Sequence, residues 1–182
     1  MACDGFHVPP ICNMVHLSGH TRTKEKLILG VLVFMILAIF RIMKFFALNG
    51  TGKIRLCDAW GCGHFNAPRG DHKHKGIDFD IPFGSVVYAP FPCKVVRLGF
   101  PYSDDTSYRL VEIQGTGNYS DYKAKIMYVK DLPSVGETFK EGQKLCIADD
   151  ITKRYSSTMT NHVHFELYAK DELLNPEPFF KV

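Results

Sequence analysis

The chain has 182 residues, of which 46% are hydrophobic and 23% charged, a balance that excludes a disordered polyelectrolyte and fits one domain with an appendage. Its formal net charge is only +3 and the basic residues are scattered. No concentrated cationic face is available for a nucleic acid, so that partner class is excluded.

Residues 1–26 are polar, contain Pro and His, and have no periodicity, so we expect no stable fold of their own there. Leu27 to Phe40 then form an unbroken apolar run, interrupted at Arg41 and Lys44 and resumed from Phe45 to Leu48. A helix packed on a soluble core would show a polar face, and this run has none. Residues 27–48 therefore read as one hydrophobic helix, a signal-peptide core or a membrane anchor, and only through it would the chain meet a membrane. Arg22, Lys24 and Lys26 suit the basic flank of either, and no cleavage site with small residues at the required positions stands out. Both alternatives place residues 49–182 outside the cytosol, as a secreted or a type II single-pass protein.

Asn49-Gly50-Thr51 and Asn118-Tyr119-Ser120 are N-glycosylation sequons, in keeping with export. Four cysteines follow the apolar run, an even number for an oxidising compartment. Cys57 and Cys62 are close in sequence beside Gly61 and Gly63 and predict a small disulfide loop, against which a zinc knuckle is the alternative. Cys93 and Cys146 then pair by exclusion. Cys3 and Cys12 lie on the other side of the run and are expected to stay reduced.

Beyond residue 50 the pattern is short β-rich segments punctuated by Gly, Pro, Asn and Asp. Strands are predicted at 74–81, 86–88, 93–98, 108–114, 123–129, 145–148 and 162–168. The last of them, HVHFELY, alternates, with His162, His164, Glu166 and Tyr168 on one face. The expected fold class is all-β, a mostly antiparallel sheet domain without a long amphipathic helix.

Two short patterns carry chemistry. His74-Lys75-Gly76-Ile77-Asp78 is H-x-G-x-D, and His162-Val163-His164 is H-x-H. Residues i and i+2 of a strand project from one face, so the two histidines of the second pattern can reach one site. Gly76 is expected to let the chain bend so that His74 and Asp78 reach a common ion. Two imidazoles and a carboxylate suit zinc, with one position left open and His162 beside it as a base. His72 is an alternative ligand without the Gly76 and Asp78 spacing, and His64 reads as a surface residue. Asp80 and Glu166 are candidates to orient a ligand imidazole, and Trp60 is a candidate contact residue.

HKGIDFDIPFGSVVYAP followed by NHVHFE resembles the lysostaphin-type zinc endopeptidases, whose fold is also called the duplicated hybrid motif. The resemblance implies zinc on His74, Asp78 and His164, with His162 catalytic. IRLCDAWGCGHF, IMYVK and NHVHFE further resemble the chemotaxin-like branch of that family, which implies an extracellular zinc-binding factor. Active members carry another histidine in a Y-x-H-L segment. The matching stretch here is Tyr128-Val129-Lys130-Asp131-Leu132, which puts Lys130 at that place, as in the chemotaxin-like proteins. The resemblance thus implies a non-catalytic signalling or chemotactic module with an extracellular or cell-surface protein receptor. The alternatives are a zinc endopeptidase using His162 as base and Lys130 as electrophile, and a glycan- or peptidoglycan-binding domain.

Overall fold

The computed structural model describes residues 44–180, and the expectations for residues 1–43, Cys3 and Cys12 among them, lie outside the described residues. Two short strands come first, β1 (Pro68–Arg69) and β2 (His72–Lys73), paired as a hairpin. A nine-stranded sheet follows: β3 (Ile77–Asp80), β4 (Val86–Tyr88), β5 (Cys93–Gly99), β6 (Arg109–Gly115), β7 (Tyr122–Lys130), β8 (Thr138–Phe139), β9 (Lys144–Ala148), β10 (His162–Ala169) and β11 (Glu172–Leu174). Every strand pairing is antiparallel. The described residues otherwise contain three single 3-10 turns and no α-helix, so none there is long and apolar enough to cross a membrane. The all-β reading holds.

Alternation explains the strands and their faces. On β5, Cys93 and Val95 are buried while Lys94 and Val96 are exposed. On β10, Val163, Phe165 and Leu167 enter a core built with Phe79, Phe91, Ile113 and Ile126. Its other face is also buried, through His162, His164 and Glu166. A buried polar row needs partners, and the register supplies them. On one side of β10, His164 stands opposite Asp78 of β3, and on the other it stands opposite Met127 of β7.

The folded domain begins earlier than the boundary at residue 49. Phe45 and Leu48 are buried in the core, and Phe45 bridges Phe180. The Phe45 amide donates to the Phe179 carbonyl (2.7 Å), and the ring lies 4.8 Å from Phe91 and 4.9 Å from Phe179. Phe45 and Leu48, at the end of the predicted 27–48 helix, are thus received by the core of the β domain.

Cysteine pairing divides in the same way. Cys57 and Cys62 form the expected disulfide. The expected Cys93–Cys146 bridge is not formed: both thiols are free and buried. Cys93 sits on β5, between β6 and β8, whereas Cys146 sits on β9, between β4 and β7, so pairing by exclusion ignored the sheet order. Burial pushes the Cys93 thiol up to about 12 and Cys146 upward as well, which leaves both protonated and unreactive.

The two sequons also part company. The Asn49 amide nitrogen donates to the carbonyls of Lys53 and Asp80 (both 2.9 Å), and its oxygen accepts from the amides of Thr51 and Gly52. That carboxamide is a turn staple, with both of its donors engaged. Asn118 is exposed on a 3-10 turn and remains open to modification.

Candidate metal centre

Asp78 and His164 face each other across the β3–β10 ladder, which brings the H-x-G-x-D and H-x-H patterns together. His164 Nδ1 lies 2.9 Å from Asp78 Oδ1, His74 Nε2 lies 3.1 Å from the same oxygen, and the two nitrogens are 3.0 Å apart. Zinc–ligand bonds of about 2.0–2.2 Å to N and O give a tetrahedron with edges of roughly 3.3 Å, close to this triangle. All three side chains are buried, and the donor set of two imidazoles and one carboxylate fits zinc.

Each imidazole is held by its other nitrogen. His74 Nδ1 donates to the His64 carbonyl (2.8 Å), turning Nε2 inward. His164 Nε2 lies 3.5 Å from Glu166 Oε1, turning Nδ1 inward. His162 donates from Nδ1 to the Thr160 carbonyl (2.9 Å), leaving Nε2 on the site side, 3.8 Å from Asp78 Oδ2. Such partners fix tautomer and orientation. His64 thus contributes through its backbone, while its side chain is exposed.

Gly76 serves the site for a different reason from the expected bend. A Cβ there would lie 2.1 Å from the Phe165 carbonyl oxygen and 3.0 Å from His164 Cε1. The position demands close approach of backbone to β10.

The electrostatics follow from burial and pairing. Burial pushes the Asp78 carboxyl up, but hydrogen bonds from His164 and His74 hold it well below the usual carboxylate range. Burial pushes His164 down, yet the Asp78 and Glu166 carboxylates raise it to about 9. His162 has its proton affinity lowered, chiefly by burial, so its imidazole is neutral at pH 7.

The cluster opens into a cleft of about 840 Å³. Trp60 stands at its rim, 5.3 Å from Tyr155, and Tyr102, Tyr128 and Tyr155 line it. His72 lines the mouth but is exposed and pairs with Asp71 (2.8 Å), away from the converging donors. Asp80 pairs with Lys53 rather than with a ligand imidazole. Lys130 does not line the cleft; its ammonium stands 4.1 Å from the centre of the Phe83 ring.

The side chain that β7 presents to the site is Tyr128. Its ring centre lies 5.5 Å from that of His162 and 6.4 Å from that of His164. β7 follows β10 up to Met127 and pairs with β9 from Val129. The register with β6 shifts at the same point, Leu110 opposing Met127 and Arg109 opposing Val129, so Tyr128 is the bulged residue. Its φ of 67° is in the left-handed region. A sequence signal for this bulge exists. The apolar parity changes from Ala124 and Ile126 to Val129, which requires one extra residue between them. Tyr128 accepts from the Tyr102 hydroxyl (3.0 Å), and burial raises its own proton affinity, so it stays a phenol.

Residues 72–176 match the model of peptidase family M23. The chain belongs to this family. It is 35% identical to leukocyte cell-derived chemotaxin-2 of Mus musculus over 66% of this chain and 76% of that protein. Among solved structures, the catalytic domain of lysostaphin from Staphylococcus simulans superimposes with a TM-score of 0.51 at 22% identity, covering 65% of this chain and 89% of that one. A zinc-containing peptidase from Vibrio cholerae is matched over 68% of this chain with TM-score 0.49 and 23% identity, and the chain spans only 36% of its length. The M23 fold thus accounts for the sheet.

Proposed function

We propose that this protein is an extracellular zinc-binding factor that uses a peptidase-like cleft to bind rather than to cut. The observation that carries the reading is Tyr128. Its ring lies beside His162 in the cleft, where a second imidazole able to shuttle protons would be needed. His74, Asp78 and His164 would hold the ion. Zinc bound there supplies a Lewis-acid centre and a cross-link between β3 and β10. The disulfide of Cys57 and Cys62 and the chemotaxin relative support export, as a secreted or membrane-tethered protein. The partner is then a cell-surface protein receptor, with a glycan or peptidoglycan strand as the weaker alternative.

A second reading, a zinc endopeptidase acting on glycine-rich or cell-wall peptides, has its own support. His162 presents a neutral Nε2 to the cleft as a proton acceptor. The protonated Tyr128 hydroxyl is a donor for a developing oxyanion. Lys130, turned onto Phe83, takes no part.

Peptide hydrolysis by the zinc-loaded chain on glycine-rich and peptidoglycan-derived peptides separates the two readings. We expect zinc near one per chain and no turnover. Turnover that vanishes in His162→Ala would overturn the binding reading. Tyr128→His is expected to create measurable hydrolysis, because an imidazole tolerates the left-handed backbone and general acid–base help contributes about 10²–10⁴-fold.

A further inference from the structure

The two oxygens of Asp78 face different surroundings. Oδ1 meets the imidazoles of His74 and His164, while Oδ2 accepts from Arg55 Nε (3.3 Å) and Nη2 (3.0 Å), with Arg69 Nη2 at 3.4 Å. Arg55 is only 3% exposed, so its guanidinium is a buried cation. Its remaining Nη1 donates to Asp58 Oδ2 (2.7 Å) and to the Gly61 carbonyl (3.0 Å). Both acceptors lie inside the loop that Cys57 and Cys62 close, and Asp58 and Gly61 also exchange backbone hydrogen bonds.

The exit of that loop is tied to the same place. Gly63 donates to the Arg55 carbonyl and accepts from the Asp78 amide (2.8 Å). A Cβ on Gly63 would come within 2.6 Å of the Arg55 carbonyl oxygen and 3.2 Å of Asp78 Cβ. Arg69 adds a second strap, donating to the Cys62 carbonyl (2.6 Å). Loop, guanidinium and carboxylate form one continuous hydrogen-bonded unit. A planar guanidinium is a rigid fork, so movement at its loop end is felt at its carboxylate end.

We propose that Arg55 is a positioning residue for the metal centre: it transmits the closed Cys57–Cys62 loop to Asp78, holding one carboxylate oxygen toward the ion, so that metal retention depends on the disulfide. The proposal rests on the reading that His74, Asp78 and His164 hold zinc. Two effects of Arg55 oppose each other. Its charge repels a cation, which lowers affinity, whereas its hydrogen bonds stop Asp78 from turning, which raises it. Orientation outweighs repulsion here because the carboxylate is only 2% exposed, which leaves solvent little access to replace those hydrogen bonds.

The test uses the full chain, with zinc affinity measured by competition against a chromophoric chelator and ligand geometry read from the visible absorption of the cobalt-substituted protein. Arg55→Met is expected to lower affinity by about 10–100-fold and to shift the cobalt bands. Cys57→Ser combined with Cys62→Ser is expected to do the same. The triple substitution should lose no more than the larger of the two, because both break one linkage. Arg55→Lys should recover only part, since an ammonium cannot reach loop and carboxylate together. Losses that simply multiply would overturn the transmission, as would an unchanged cobalt spectrum. A gain in affinity for Arg55→Met would show that repulsion dominates and would overturn the positioning role. Should Arg55→Met fail to fold, Arg55→Lys with and without the loop disulfide carries the same comparison. A wild-type chain that binds no zinc would sink the metal reading itself, a result distinct from wild-type binding that the substitutions leave untouched.

Discussion

Asp78, His162 and His164 sit on paired strands, whereas His74, Arg55 and the Cys57–Cys62 loop are brought in by irregular chain. The two halves of the centre are held by different means. On the strand side, position follows from the β3–β10 register, where sliding by one residue would send every side chain to the other face. On the loop side, position follows from individual hydrogen bonds to carbonyls, a disulfide and glycines that permit close approach. The strand half is secured by the whole sheet, and the loop half by a few contacts that single substitutions remove. Asp78 belongs to both halves, since it lies on β3 and its oxygens meet His164 from the strands and His74 and Arg55 from the loop side.

The largest effect is therefore expected at Asp78. In Asp78→Ala a zinc ion at the proposed site would lose its only carboxylate, and Arg55 becomes a buried cation whose remaining acceptors are Asp58 and the Gly61 carbonyl. Breaking a buried pair by removing one partner costs about 3–5 kcal/mol. We expect metal-free Asp78→Ala to lose about that much stability in denaturant unfolding and to bind no stoichiometric zinc. A loss below about 1 kcal/mol would mean that Arg55 finds compensation in the loop alone, and that the halves are less joined than the hydrogen bonds indicate.

Gly76→Ala asks the same of the junction between the halves. The added Cβ would meet the Phe165 carbonyl at 2.1 Å, so either β3 or the His74 segment must move. Overpacking of this kind costs about 1–3 kcal/mol. Thermal unfolding and zinc stoichiometry together locate the damage. A lower melting temperature with zinc retained would mean that the sheet gives way first; zinc lost at near-normal stability would mean that the His74 segment does.

The strand half was legible in the sequence. H-x-H on an alternating segment is sufficient to put His162 and His164 on one face, and the H-x-G-x-D spacing, joined by the resemblance to zinc peptidases, pointed to His74 and Asp78. In the loop half, His74 and the Cys57–Cys62 disulfide were legible too, but Arg55 was not, because no periodicity announces a hydrogen bond from it to a carboxylate 23 residues away. The misplacements have particular causes. Lys130 was assigned by alignment of a short segment, and a bulge at Tyr128 rotated the chain beneath it. Asp80 shares a strand face with Asp78, but Lys53 claimed it. Cys93 and Cys146 are the residue type that bridges, yet they stand on strands that are not neighbours. Phe45 and Leu48 were indistinguishable from the apolar run before them, because burial in protein and burial in lipid select the same side chains. In each case local composition was read correctly and the long-range partner was not available to it.

The smallest expected effect concerns protons at the strand half. In the metal-free protein the Asp78 and Glu166 carboxylates raise His164 to about 9, against an ordinary value near 6.5, while the same partnership holds Asp78 well below its usual range. The pair is thus charged on both sides at neutral pH. Its stabilising contribution is fully present below pH 6.5 on the His164 side and is lost as pH rises through about 9. On the Asp78 side it is present above the ordinary carboxylate value and is lost as pH falls into the acid range. A metal ion needs His164 neutral, so binding at pH 7 must expel its proton. Apparent zinc affinity, corrected for the chelator's own titration, should therefore rise about tenfold per pH unit from 6.5 upward and level off near 9. Glu166→Gln removes one of the two carboxylates that hold that proton and should bring the levelling to lower pH while leaving the slope below it. A flat profile in the parent chain would mean that His164 is already neutral without metal, and that the strand half is set in its metal-binding state before any ion arrives.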